Sequence, residues 1–179
     1  MNEKNVAIVG FMGAGKTSVG RSLASVLQMR FIELDDEIAA KAGKSVQKIF
    51  LDEGEPAFRA LEREAVAQAA RATGAVISCG GGAVIDARNV DALRKTAVII
   101  LLAASDEETL RRVGDASSRP LLQHNDKLAR IRELKSARRD AYEAAADIVI
   151  DTTGLSVREV ARVAASALLG YAKGGTVKA

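Results

Sequence analysis

Residues 5–20, NVAIVGFMGAGKTSVG, constrain this chain more than any other stretch. The apolar, β-branched run Val6-Ala7-Ile8-Val9 reads as a buried strand. It leads directly into Gly10-Phe11-Met12-Gly13-Ala14-Gly15-Lys16-Thr17, which fits G-x-x-x-x-G-K-[ST] at every fixed position. Glycines at these places let the backbone turn tightly and aim successive N–H groups at an anion. The helix that opens near Lys16 adds the positive end of its dipole. A strand, a phosphate-binding loop and an amphipathic stretch (Val19, Leu23, Val26, Leu27) in this order are the context that the motif requires. Gly13, Ala14, Gly15, Lys16, Thr17 and Ser18 are therefore the candidate nucleotide-phosphate contacts. Lys16 is placed to reach the β- and γ-phosphates, and the Thr17 hydroxyl to ligate Mg²⁺.

Beyond the loop, strand and helix patterns alternate. A helix from about Lys16 to Leu27 leads to a second strand, Arg30-Phe31-Ile32-Glu33. Leu34-Asp35-Asp36-Glu37 follows at the carboxyl end of that strand, where open α/β sheets place ligands. Acids in a helix's first turn give the same pattern. Ser45 to Thr73 reads as helical with a break around Gly54-Glu55-Pro56, and it carries Phe50, Phe58, and Arg59 three residues before Glu62. Taken alone, Arg59 and Glu62 suit a solvated helix pair. A third strand, Ala75 to Ser78, ends in Gly80-Gly81-Gly82. Three consecutive glycines are costly in chain entropy, and close approach of backbone to a ligand accounts for them. Thr96 to Leu102 is a fourth strand without polar alternation, as in a parallel sheet covered on both faces. Ser105 to Glu108 reads as a capping box opening a helix to about Val113.

Residues 114–126, GDASSRPLLQHND, are polar and aperiodic and read as a mobile lid. They hold Arg119 and the only histidine, His124, to which no catalytic role is assigned. Leu128 to Ala146 returns to helix with a basic face, Asp147 to Asp151 is the fifth strand, and Ser156 to Glu159 caps a last helix through Leu169. Five strands alternating with helices predict a three-layer α/β fold around a parallel sheet, with residues 1–172 as a single domain and a disordered tail at 173–179.

Composition narrows the function class. With aromatics at 3% and no Trp, the core must be aliphatic, and 48% hydrophobic residues in 179 are enough to build one. The longest apolar run, Ala97 to Ala104, is too short to span a bilayer, and Met1 to Lys4 has no signal-peptide layout, so a cytoplasmic protein without a membrane partner is expected. The lone Cys79, on an apolar flank, reads as a small buried residue. At a net charge of +3 with scattered basic residues, nucleic-acid binding has little support. Sixteen of the 26 basic residues are arginines, several of them in loops, which suits phosphate and carboxylate recognition.

The phosphate loop, Asp35 after the second strand, Phe58-Arg59-x-x-Glu62, the triple glycine, Arg119-Pro120-Leu121-Leu122 and Arg138-x-x-x-Tyr142 occur in that order. In this the chain resembles the shikimate kinases over nearly its whole length. The resemblance implies a P-loop kinase fold with sheet order 2-3-1-4-5, ATP with Mg²⁺, and γ-phosphoryl transfer to the 3-hydroxyl of shikimate; a monomer is expected. By the same resemblance Asp35, Arg59, Gly80, Gly81, Gly82 and Arg138 contact shikimate within a substrate region at about 35–62 and beyond. Asp35 is then the base, Arg119 the lid arginine on the transferring phosphoryl group, Arg112 the residue packing on adenine, and Glu62 the residue orienting Arg59. Phe50 and Phe58 give the substrate ring an apolar wall.

Three positions depart from the family pattern: Glu33 where an aspartate usually holds a Mg²⁺-bound water, Asp140 in place of a proline beside Arg138, and Val157 in place of an adenine-loop proline. Asp140 is expected to compete for the Arg138 guanidinium. A gluconate kinase of the same fold is the alternative enzyme, and a P-loop protein that binds nucleotide without turnover is the alternative class.

Overall fold

Aliphatic strands without polar alternation have to be covered on both faces, and here they are. The computed structural model describes residues 4–114 and 126–172 together with the backbone of residues 177–178. Arg119, His124 and the interior of the expected lid lie outside the described residues. The chain runs β1 (Asn5–Gly10), α1 (Lys16–Leu27), β2 (Arg30–Glu33), α2 (Leu34–Ala42), α3 (Val46–Ala69), β3 (Ala75–Ser78), α4 (Ala87–Arg94), β4 (Ala97–Ala103), α5 (Asp106–Val113), α6 (Lys127–Ala145), β5 (Ile148–Asp151), α7 (Val157–Tyr171) and β6 (Val177–Lys178). All strand pairs are parallel, in the order β2-β3-β1-β4-β5-β6.

The first five strands stand in the expected order. A short sixth strand, residues 177–178, adds to those five at the edge of the sheet. β5 is an edge whose backbone groups would otherwise face outward, and residues 177–178 pair with it at Ile148 and Val149.

Alternation along each strand divides the core in two. Val6 and Ile8 of β1 point to one face with Val76, Ile100, Leu102 and Ile150, covered by α1 and α7 through Leu23, Val160 and Ala164. Ala7 and Val9 point to the other face with Ile77, Ile99 and Leu101, covered by α3, α4 and α6 through Val66, Leu93 and Ala145. Leu23 and Leu93 are fully buried, so truncating either to alanine costs about 2–5 kcal/mol. Cys79 is buried as expected, and desolvation pushes its thiol far up.

Helix ends follow local chemistry. Ser45 caps α3 by accepting from the Lys48 N–H at 3.2 Å. The anticipated break in α3 falls at Gly54, at φ 81° and ψ 175°, with Pro56 just after it. Helix α4, for which the sequence patterns assign no element, is capped by Asp86, whose carboxylate accepts from the Arg88 N–H. At α5 only half of the expected capping box forms. The Ser105 hydroxyl accepts from the Glu108 N–H at 3.1 Å, but the Glu108 carboxylate is taken by Arg111 and Arg112 instead of turning back. The Ser156–Glu159 box at α7 is complete.

Candidate active site

Every described residue expected at the site emerges at or beyond the carboxyl end of a parallel strand, or from a helix packed over those ends. The loop after β1 enters α1 through Gly15, which sits in the left-handed region at φ 87° and offers no side-chain cap. The first-turn N–H groups of α1 have no intrahelical acceptor, which makes this end of the helix an anion site. Lys16 curls back over the loop and its Nζ donates to the Phe11 carbonyl at 3.0 Å. The Phe11 ring is buried against Ile131 of α6, flanked by Leu110, Val113 and Leu134, so the phosphate loop is packed onto the helices on either side of the expected lid.

Behind the loop lies Glu33, the last residue of β2. Burial pushes its carboxyl up, opposed by the neighbouring Thr17 and Ser78 hydroxyls. Its Oε2 is buried without a hydrogen-bond partner. An orphaned carboxylate oxygen beside the Thr17 hydroxyl fits a divalent cation that takes one protein hydroxyl, an acid and phosphate oxygens. Among the described residues no group of three or more His, Cys, Asp or Glu side chains forms a closed cage.

At the opposite side of the cleft, α2 begins straight after β2 and sets Asp35 in its first turn. Arg59 and Glu62 project from α3 after the Gly54 break. Arg59 Nη1 donates to Glu62 Oε2 at 2.8 Å, and its Nε and Nη2 donate to Glu55 Oε1 at 3.1 and 2.8 Å. Glu62 is only 1% exposed, so the pair is not the solvated helix pair that spacing alone allows. Burial pushes the Glu62 carboxyl up against the Arg59 bond that opposes it, and Oε1 has no partner.

The triple glycine closes around these groups. A Cβ on Gly80 would lie 2.8 Å from Glu62 Oε1 and 3.4 Å from Asp35 Oδ1, and a Cβ on Gly82 would lie 2.6 Å from both Nη atoms of Arg59. The close approach expected there is thus in part an approach to the protein's own side chains. The Phe50 and Phe58 rings, with centroids 4.6 Å apart and tilted by 33°, stand beside Arg59.

Arg138 reaches in from α6. Its Nη1 donates to the Gly81 carbonyl at 3.3 Å and its guanidinium lies 5.9 Å from the Phe11 ring centroid. Asp140 does not compete for it. Two residues along a helix is a turn of about 200°, Asp140 is exposed, and among the described residues no ion pair joins it to Arg138. The Tyr142 hydroxyl donates to the same Gly81 carbonyl.

Arg112 marks the other end of the cleft. Its Nε donates to Glu108 at 2.7 Å, and Nη1 and Nη2 donate to the Thr152 hydroxyl and carbonyl at 2.8 and 2.7 Å. All three bonds lie in the guanidinium plane and leave its face available for stacking, with Leu155 and Val157 close by as apolar surface. Arg111, with Arg112, holds the Glu108 carboxyl down at about 2.

One cleft of about 630 Å³ joins these parts: Gly13 to Ser18, Asp35, Arg59, Gly80 to Gly82, Arg112 and Arg138 all line it, together with Phe50, Phe58, Glu62 and Val157. Glu33 stands behind the loop and not in the lining, and Arg119 lies outside the described residues. Sequence reasoning missed Glu55, Thr152 and the contact of Tyr142. Glu55 precedes Arg59 by four residues and was legible as a helix pair; the partners of Thr152 and Tyr142 lie 40 and 61 residues away.

Known proteins resemble this chain over most of its length. The family model described as shikimate kinase matches residues 12–169. A shikimate kinase of Geobacter metallireducens is 44% identical over 171 residues, covering 96% of this chain and 93% of that protein. The solved structure of shikimate kinase from Acinetobacter baumannii in complex with shikimate superposes with a TM-score of 0.90 at 33% identity, covering 94% of each chain. That of Aquifex aeolicus gives 0.80 at 29% identity over 96% of this chain and 99% of that one.

Proposed function

The chain belongs to the shikimate kinase family, and on that premise we propose how its cleft divides the work of moving the ATP γ-phosphoryl group to the 3-hydroxyl of shikimate. The observation that carries the reading is a single cleft whose lining joins a phosphate loop with two guanidinium groups, Arg59 and Arg138, and a carboxylate, Asp35. Shikimate offers a carboxylate and ring hydroxyls. Planar guanidinium groups suit the first, through paired N–H donors. Asp35 accepts from the reacting hydroxyl and takes its proton as the bond to phosphorus forms. Amides of Gly80 to Gly82 contact the substrate, and Glu62 and Glu55 hold Arg59 for it.

The phosphate side does electrostatic work. Gly13 to Ser18 cradle the β- and γ-phosphates, and Lys16 exchanges the Phe11 carbonyl for a phosphate oxygen. Arg119 stabilises charge on the transferring group, and residues 114–126 act as the lid that excludes water. Arg112 and Val157 pack on adenine. Thr17 and Glu33 would hold Mg²⁺, which when bound neutralises phosphate charge. The buried, unpartnered Oε2 of Glu33 supports that assignment even though glutamate replaces the usual aspartate.

We further propose that the enzyme works as a cytoplasmic monomer. All the groups invoked come from one chain, and among the described residues no helix is long and apolar enough to cross a membrane. An acyclic anionic polyol such as gluconate would make less use of the stacked Phe50 and Phe58 wall. A coupled ADP-release assay with shikimate, gluconate and nucleoside monophosphates, each with Mg²⁺ and with chelator, tests the reading. Turnover is expected with shikimate and Mg²⁺; preference for another acceptor would overturn it.

A further inference from the structure

Helix α6 sends two donors to one oxygen. Tyr142 and Arg138 are four residues apart on one helical face, and both donate to the Gly81 carbonyl. The Tyr142 side chain is only 6% exposed and does not line the cleft. No peptide bond is cis, so fixing the Gly81 carbonyl toward α6 turns the Gly82 N–H the opposite way. Gly82 is buried in the cleft wall, and among the described residues its N–H meets no protein acceptor. A run of three glycines has little of its own to hold a peptide plane in one orientation.

We propose that Tyr142 is a positioning residue for the acidic end of the substrate: its hydroxyl locks the Gly81–Gly82 peptide so that the Gly82 N–H is presented to the substrate carboxylate. The inference rests on the shikimate reading of the cleft. Arg138 cannot serve this purpose alone. Its 3.3 Å bond to Gly81 is longer than the usual 2.9–3.0 Å, and it is the bond given up when the guanidinium turns to a substrate carboxylate. Tyr142, held in the apolar layer under the loop, then remains the anchor. Phenylalanine would fill the same space without the bond, so the hydroxyl itself carries the effect.

The test is Tyr142→Phe in the full chain, by steady-state kinetics with both substrates. Loss of one such bond predicts a rise in the shikimate Michaelis constant of about 3- to 10-fold, with kcat and the ATP Michaelis constant within about twofold of the unmutated enzyme. An unchanged shikimate constant, or equal rises for shikimate and ATP, overturns the proposal. Amide exchange of Gly82 in the unmutated protein gives a second reading that needs no variant. Shikimate should slow it, and exchange unaffected by shikimate also overturns the proposal. Failure of the unmutated protein to phosphorylate shikimate is a separate result, which rejects the activity before any variant is made.

Discussion

Gly82→Ala isolates the Arg59 fork from the rest of the site. Gly82 has φ −120° and ψ 1°, which alanine adopts, so the substitution acts through space and not through backbone strain. Its Cβ would stand 2.6 Å from Nη1 and Nη2 of Arg59, where ordinary contact begins at 3.4 Å. The guanidinium must therefore retreat by the difference, 0.8 Å. A shift of that size takes the 2.8 Å bonds to Glu62 and Glu55 out of hydrogen-bond range, or swings the fork away from the substrate to keep them. Either way one charge-assisted bond is lost, worth about 1.5–3 kcal/mol. The expected rise in the shikimate Michaelis constant is then roughly 10- to 150-fold. Replacing glycine also restricts the unfolded chain, a gain of about 0.4–1 kcal/mol that offsets part of any loss in stability. The melting temperature should accordingly move by less than about 4 °C. Initial rates with shikimate varied at saturating ATP, alongside a thermal melt, decide the matter. A shikimate constant within twofold of the unmutated enzyme would refute the argument, as would an equal rise in the ATP constant.

Lys16→Met should leave a folded protein whose turnover falls by at least about 10²-fold, the scale of losing one preorganised donor; near-normal kcat in a correctly melting variant would remove Lys16 from the mechanism. Arg119→Ala should lower kcat by about 10³- to 10⁵-fold, as loss of an arginine finger does, with the shikimate Michaelis constant little changed; rapid-quench turnover measures it, and a defect confined to the Michaelis constant would reassign the residue to binding. Glu108 is held near 2 against an ordinary 4.5, so its pairing contributes stability that is present above pH 4.5 and lost as pH falls toward 2. Glu108→Gln should therefore lose less melting temperature than the unmutated protein across that interval, and parallel curves would count against the pairing.

The nucleotide side of the cleft was the easier to read because its signal is local. Gly15, Lys16 and Thr17 act through the backbone they sit on, and a strand before and a helix after them are enough to place them. Arg59 and Glu62 carry a local spacing but a non-local meaning: the i,i+3 relation appears in the sequence, whereas burial of Glu62 follows from Gly80 and Asp35, which the sheet brings alongside. Asp140 shows the reverse. Adjacency in sequence suggested competition for Arg138, and helical geometry separates them. Tyr142 belonged to a recognised motif, yet its task depends on a carbonyl 61 residues away. Helix α4 escaped because its eight residues hold few large apolar side chains, although Asp86 was a usable start signal.

Ile38, Ile49 and Phe58 form a small core of their own beneath α2 and the first half of α3, apart from the two clusters that sandwich the sheet. The apolar wall proposed for the acceptor, Phe50 and Phe58, thus belongs to a small packing unit of its own beside the nucleotide-binding core. Mutations between Ile38 and Phe58 can reshape what is phosphorylated while the packing around β1 and β4 stays intact. Acceptor choice is therefore a trait that drift or directed evolution can explore at modest risk to folding. A library confined to the surface of that unit around Phe50 is the natural place to begin retargeting the kinase to a different ring.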